Sequence, residues 1–216
     1  DDMRVFGSTL QHVTRREERP IAFVGAGLPS VEETLLADPG ATFLQRCERF
    51  DVGRLPDRAV REALEVPVRN LGGTVDPEGL DRAVAAASGY AFMVQLIGFH
   101  MWRSASDPTR LISAADVDHG IAEATRRLGP LVIQPVWRDL PDMQRRFCVA
   151  MLDNEGPSRM ADIASRLGKS SKYVSVYRDR LIKVGMIVPA GHGLVEFALP
   201  HTAEWLRSRP DLWPQP

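Results

Sequence analysis

Between Asp162 and Ile187 the chain reads DIASRLGKSSKYVSVYRDRLIKVGMI, and a single glycine in this stretch limits what the C-terminal half can become. Ile163, Ala164 and Leu167 recur at helical spacing before Gly168; Val174, Leu181 and Val184 do so after it, with Tyr177 partly inward. Gly168 permits a sharp turn, so the two apolar faces close on each other. Upstream, LPDMQRRFCVAMLDNEG puts Met143, Phe147, Ala150 and Met151 at helical spacing. Downstream, MIVPAGHGLVEFALP reads as two short strands joined through AGHG, and a final helix covers about His201 to Ser208. Helix, helix, turn, helix and hairpin is the order of a winged helix-turn-helix, predicted here over residues 137–209.

The tetrapeptide GKSS, starting at Gly168, invites a second reading as a phosphate-binding loop. Such a loop needs GxxxxGK[ST], because glycines let successive backbone N–H groups turn inward on the phosphates while the lysine reaches the terminal one. The position five before Gly168 is Ile163, and the intervening residues continue a helical apolar pattern with no strand ahead of them. Residue type and context both exclude the loop. As the start of a recognition helix the same stretch projects Lys169, Ser170, Ser171, Lys172, Ser175 and Arg178 outward, and hydroxyls and cations at a helix N-terminus suit phosphate and base-edge contacts in a major groove. His192, at the hairpin tip, is placed to reach an adjacent minor groove or phosphate. The competing reading is a solvated or protein-packing face.

Charge supports a polyanionic partner. The net charge of −1 hides an asymmetry: residues 1–136 carry 15 Arg/Lys against 19 Asp/Glu, whereas residues 137–210 carry 12 against 8. A basic C-terminal half on a near-neutral chain makes a polyanion the first partner to consider, with a solvated basic face as the alternative, and the helix-turn-helix reading makes that polyanion double-stranded DNA. Metal chemistry is not expected: Cys47 and Cys148 lack CxxC spacing, and His12, His100, His119, His192 and His201 are scattered. A reduced, cytoplasmic protein accounts for the two thiols. The longest apolar run, YAFMVQLIGFHMW, is interrupted by Gln95 and His100 and reads as a mostly buried helix, so no membrane span is expected. No GxSxG elbow or comparable nucleophile arrangement occurs, and no catalytic residue is assigned.

The N-terminal part has a different grammar. After a short helix predicted over residues 7–17, IAFVGAG reads as a buried strand ending in a tight turn, and Phe50 and Val52 suggest a further extended piece. One strand cannot make a sheet, so either a partner lies elsewhere in the chain or the sheet continues in residues beyond it. The start at Asp1-Asp2-Met3 favours a chain excised from something longer. From Pro56 to Gly129, about four helices are expected: one with Ala59, Val60, Ala63 and Leu64 on its inner face, one opened by Asp76-Pro77 and closed at Ser88-Gly89, the YAFMVQLIGFHMW helix, and one ending at Gly129.

IAFVGAGLPS, ERFDVGRL, AVREALEVPV and ASGYAFMVQLIGFHMW, followed by the helix-turn-helix, together resemble the later part of a bacterial group of AAA+ type P-loop ATPases related to archaeal ATPases and replication initiators. The resemblance spans about residues 20–207 and rests on the order of elements. It implies a mainly α chain with a small β part: the remnant of an α/β ATPase core over 1–30, a four-helix lid over 31–130, and the winged helix-turn-helix. By the same resemblance Gly25 and Gly27 lie where the sensor 1 strand ends, Arg46 and Arg49 lead into the lid, and Gly89 and Tyr90 open the lid helix that covers the nucleotide. Ala91 stands where the group's GYP motif has proline, and Phe92 where some relatives carry a phosphate-sensing arginine. ATP and Mg²⁺ are the cofactors of the parent protein. The chain has neither GxxxxGK[ST] nor an apolar strand ending in Asp-Glu, and phosphoryl transfer needs both parts, so alone it is expected to bind no cofactor and hydrolyse nothing. A missing N-terminal ATPase domain is then the implied partner. Two alternatives stay open: a stand-alone winged-helix DNA-binding regulator, and a signalling ATPase whose winged helix packs on protein.

Overall fold

A computed structural model describes residues 2–15, 22, 24, 25, 44–48, 50 and 53–214. The chain is mainly α with a small β part. Helix α1 spans Asp2–Arg15, earlier than the predicted 7–17. Ala22 and Val24 lie in no strand and Val24 is 93% exposed, so the expected buried strand is not formed at these positions. Phe50, also outside any strand, is 79% exposed. Both expectations rested on apolar residues whose backbone groups find no ladder partner among the described residues, and a strand without a partner leaves its N–H and C=O groups unpaired.

Four helices build the first packed unit: α2 (Asp57–Asn70), α3 (Pro77–Ala87), α4 (Ala91–Ser104) and α5 (Ala114–Leu128). The inner stripe of α2 is Val60, Leu64 and Val68, whereas Ala63 is exposed. Helix α2 runs past Pro67 into a fourth turn despite the donor that the proline lacks, so the stripe extends one step further than the sequence indicated. Two parallel two-residue strands, β1 (Thr74–Val75) and β2 (Leu111–Ile112), set the starts of α3 and α5 side by side. Each helix then begins on a cap. Asp76 accepts from the Gly79 N–H at 2.8 Å, and Ser113 and Asp116 form a reciprocal capping box, whose hydrogen bonds from Ser113 hold the Asp116 carboxyl below its ordinary range. Gly120 lets α4 and α5 approach closely, since a Cβ there would lie 2.8 Å from the Met101 nitrogen.

Gly129 does not end α5. It has right-handed backbone angles, and the helix runs on through a π-helical turn, Gly129–Ile133, into α6 (Gln134–Asp139). Pro130 and Pro135 lack N–H donors, and widening the turn absorbs the missing bonds: the Gln134 N–H reaches back five residues to the Gly129 carbonyl. The reason for glycine here is contact rather than conformation, because any Cβ would fall inside the Trp205 indole.

The remainder is α7 (Asp142–Met151), β3 (Ser158–Arg159), α8 (Met160–Leu167), α9 (Ser171–Lys183), β4 (Ile187–Pro189), β5 (Leu194–Phe197) and α10 (Thr202–Arg207). The three strands form an antiparallel sheet in the order β3-β5-β4. Strand β3 was not legible in the sequence, since two residues carry no alternation. A second cluster of buried side chains, including Phe147, Cys148, Met151, Ile163, Val174, Leu181, Ile187 and Val195, fills the space between these helices and the sheet. Burial pushes the Cys148 thiol far above the ordinary thiol range, which makes it a packing group and not a nucleophile. Two arginines spend their guanidinium donors on the C-terminal end of α7: Arg207 on the Leu152 carbonyl, and Arg166 on the Ala150 carbonyl at 2.7 Å and the Asp153 carboxylate at 3.2 Å.

Trp205 packs against both clusters and joins them. Arg54 donates to the Ala198 carbonyl at 3.2 Å, and the His201 Nε2 lies 2.9 Å from the Ala86 carbonyl. No helix among the described residues is long and apolar enough to cross a membrane.

Candidate nucleic-acid interface

Gly168 takes a left-handed conformation, φ 60°, and closes α8 while the Lys169 N–H returns to the Ala164 carbonyl at 3.0 Å. Two residues later α9 starts. Ser170 is its N-cap, accepting from the Tyr173 N–H at 3.3 Å. The buried face of α9 is Val174 and Leu181, with Tyr177 and Val184 half-buried. This places Lys169, Ser170, Ser171 and Lys172 together and exposed at the helix start. At the first turn of a helix the leading backbone N–H groups lack intrahelical acceptors and carry the positive end of the dipole, so cations and free donors point the same way.

The later residues of the predicted face are less available. Ser175 Oγ donates to the Ser171 carbonyl at 2.9 Å, and Arg178 pairs with Asp179 at 3.2 Å with its side chain 35% exposed. Neither lysine makes an ion pair among the described residues. His192 is exposed at the tip of the β4–β5 hairpin, and β4 packs against α9.

Sequence reasoning missed the adjacent stripe. Tyr173 and Tyr177 sit with hydroxyls 3.0 Å apart and ring centroids 5.1 Å apart; the Lys169 ammonium lies 5.8 Å from the first ring and the Arg180 guanidinium 5.5 Å from the second. The Tyr177 phenol is held above its ordinary range, chiefly by the hydrogen bond with Tyr173. The spacing i, i+4, i+8, i+11 is visible in KSSKYVSVYRDR, and helical neighbours at those offsets share a face. Tyr173, Tyr177 and Arg180 follow one another along α9, and Lys169, just ahead of the N-cap, reaches back over the first ring. Tyr173 and Val176 remain exposed on α9, at 41% and 48%.

The residues assigned to a nucleotide by resemblance fare differently. Gly27 and Arg49 lie outside the described residues. Gly25 and Arg46 are exposed, Arg46 in a short 3-10 turn, Leu44–Arg46. Gly89 has φ 70°, and a Cβ on it would sit 2.5 Å from the Leu55 carbonyl oxygen, while the Leu55 N–H donates to the Gly89 carbonyl at 2.8 Å. Tyr90 is half-buried against the first cluster, where burial raises its phenol above the ordinary range. Gly89 is therefore accounted for by close backbone approach. Gly89→Ala is expected to lower stability by about 1–2 kcal/mol from the left-handed backbone alone, read as a shift in the urea midpoint at unchanged slope.

Residues 131–206 match a domain of unknown function, DUF8462. The matched stretch starts in the π-helical turn and ends in α10, so it takes in α7 to α9, all three strands of the β3-β5-β4 sheet and the exposed start of α9. Comparison with curated proteins and with solved structures gives no match.

Proposed function

We propose that residues 137–209 form a winged helix-turn-helix that binds duplex DNA, with α9 as the recognition helix and the β4–β5 hairpin as the wing, in the lid and DNA-binding portion of a nucleotide-switched AAA+ type ATPase. The observation that carries the DNA reading is the start of α9: Lys169 and Lys172 are exposed, without carboxylate partners among the described residues, beside a serine-capped helix N-terminus. The element order α7, β3, α8, α9, β4, β5 and the sheet order β3-β5-β4 agree with it. Phosphates would meet Lys169, Lys172 and the first-turn N–H groups; Ser171 and Ser175 would face base edges. The ATPase part of the reading rests on the resemblance of residues 20–130 and of the element order. In it, the packed unit of α2 to α5 is the lid, and its contacts through Trp205, Arg54 and His201 are the route by which a lid movement would reach the DNA-binding unit.

Fluorescence anisotropy with a labelled duplex tests the first claim. Binding is expected to weaken steeply with salt, because neutralised phosphates release counterions at a slope of about 0.9 per contact. Lys169→Ala with Lys172→Ala is expected to flatten the log–log slope by about 1.8 and weaken binding uniformly across sequences. Absent binding at low salt, or a slope unchanged by the double substitution, would remove DNA from the proposal. The exposed Tyr173 and Val176 favour the second reading, a protein-docking α9, in that event.

A further inference from the structure

A shallow groove of about 260 Å³ lies between α4 and α5, far in sequence from α9, and is lined by His100, Arg103, Ser104, His119, Glu123 and Arg127. The close packing at Gly120 brings the polar rims of the two helices together around it.

The charges there do not cancel locally. Glu123 is taken by Arg126 in a bidentate pair, with oxygen–nitrogen distances of 2.7 and 3.1 Å. Asp116, the other nearby acid, is committed to the Ser113 capping box. Arg103 lies over the Phe99 ring, its guanidinium carbon 5.4 Å from the centroid, and neither Arg103 nor Arg127 meets a carboxylate among the described residues. Two guanidinium groups thus line the opening without a carboxylate partner of their own among the described residues, and the one acid that lines it with them, Glu123, is already neutralised by Arg126.

His100 supplies the second observation. It is 8% exposed, and its Nε2 is buried with no hydrogen-bond partner. Leaving such a group unsatisfied costs about 1–3 kcal/mol, so a buried orphan nitrogen beside unpaired cations calls for an acceptor. Burial and then the field of Arg127 hold the imidazole below its ordinary range; Arg103 and His119 push the same way and Glu123 opposes them. A neutral imidazole still has one N–H to donate.

We propose that the α4–α5 groove binds a small phosphate-class oxyanion, held between the Arg103 and Arg127 guanidinium groups with His100 Nε2–H as the buried donor. Anion oxygens complete the guanidinium forks and the orphan nitrogen together, and charge-assisted bonds of this kind are the strong ones. Size limits the ligand. Sites for drug-sized molecules occupy roughly 300–1,000 Å³, so the groove suits inorganic phosphate or the phosphoryl end of a larger molecule rather than an enclosed nucleotide. The site is independent of the DNA reading and uses none of its residues.

The test is histidine imidazole NMR on the full 216-residue chain, titrated with sodium phosphate and, at equal ionic strength, with sodium chloride. Phosphate is expected to give saturable shifts at His100 and His119 and to raise the His100 titration midpoint relative to chloride. Arg103→Ala and Arg127→Ala, both at exposed positions, are each expected to weaken binding about tenfold. A parallel titration with glycerol phosphate separates the sources: saturation by both assigns a phosphoryl end group, and saturation by inorganic phosphate alone assigns the free ion. Shifts equal in phosphate and chloride, or unchanged in both arginine variants, would overturn the site.

Discussion

Phe147→Ala is expected to destabilise the chain by about 3–5 kcal/mol, a large part of the roughly 5–15 kcal/mol typical of a folded domain. Phe147 is fully buried on α7, in the cluster that also holds Ile163 of α8 and Val174 and Leu181 of α9. Truncation removes the transfer free energy of the ring and leaves a cavity that three packed helices cannot close. Urea unfolding should show a lower midpoint at unchanged slope. Phe147→Leu, which keeps most of the volume, should cost less than about 1.5 kcal/mol. Since α7 supports α9 from below, duplex binding by the alanine variant should fall with the folded fraction and not through a changed salt slope. A loss under about 1 kcal/mol would mean that Phe147 is not a core residue.

Gly129→Val has the second-largest expected effect, about 3 kcal/mol, at the upper end of ordinary overpacking. The added side chain would occupy the place of the Trp205 indole, which packs on both clusters and carries Arg209 over its ring at 6.0 Å. The damage falls on the junction between the units. Helical circular dichroism should be retained while tryptophan emission shifts to the red as Trp205 becomes solvated. Trp205→Leu should remove much of the penalty, giving strongly non-additive energies in a double-mutant cycle, because the two positions share one space. Additive energies would show that Gly129 acts through its backbone and not through contact.

How much of this was legible beforehand varies with the kind of signal. Caps and turns were readable because their chemistry is local: Asp76-Pro77, Gly89, Gly168 and Ser170 each do in space what their residue types dictate, whereas Ser88 takes a left-handed conformation that its type does not announce. Gly129 misled for the same reason. A glycine after a helical run usually marks a left-handed cap, and only the position of Trp205, 76 residues further on, shows the different demand placed on it. At Ala22 and Val24, the described residues of IAFV, apolar content did not give a strand, since a strand is defined by partners that four residues do not encode. The strands β1, β2 and β3 were invisible because two residues have no period.

Among the residues singled out for DNA, residue type gave the positions but not the availability. Lys169 and Lys172 are exposed as expected, whereas Arg178 is partly engaged by Asp179 and Ser175 has its proton committed to the Ser171 carbonyl. The lysine, tyrosine, tyrosine and arginine stripe is present in the spacing, but burial singles out Tyr177 alone and gives Tyr173 no role. Arg166 and Arg207, counted at first toward a basic footprint, use their donors on the end of α7.

The sequence alone determined most of the helices, several of their caps, the turn at Gly168 and the hairpin, which follow from periodicity and from the allowed backbone of a few residues. Tertiary structure decided which charges stay free, why Gly89 and Gly129 lack side chains, how α5 passes through two prolines without stopping, and where His100 comes to rest beside Arg103 and Arg127. Those outcomes depend on pairs of residues distant in sequence and close in space, and a one-dimensional pattern carries the identity of each partner but not the distance between them.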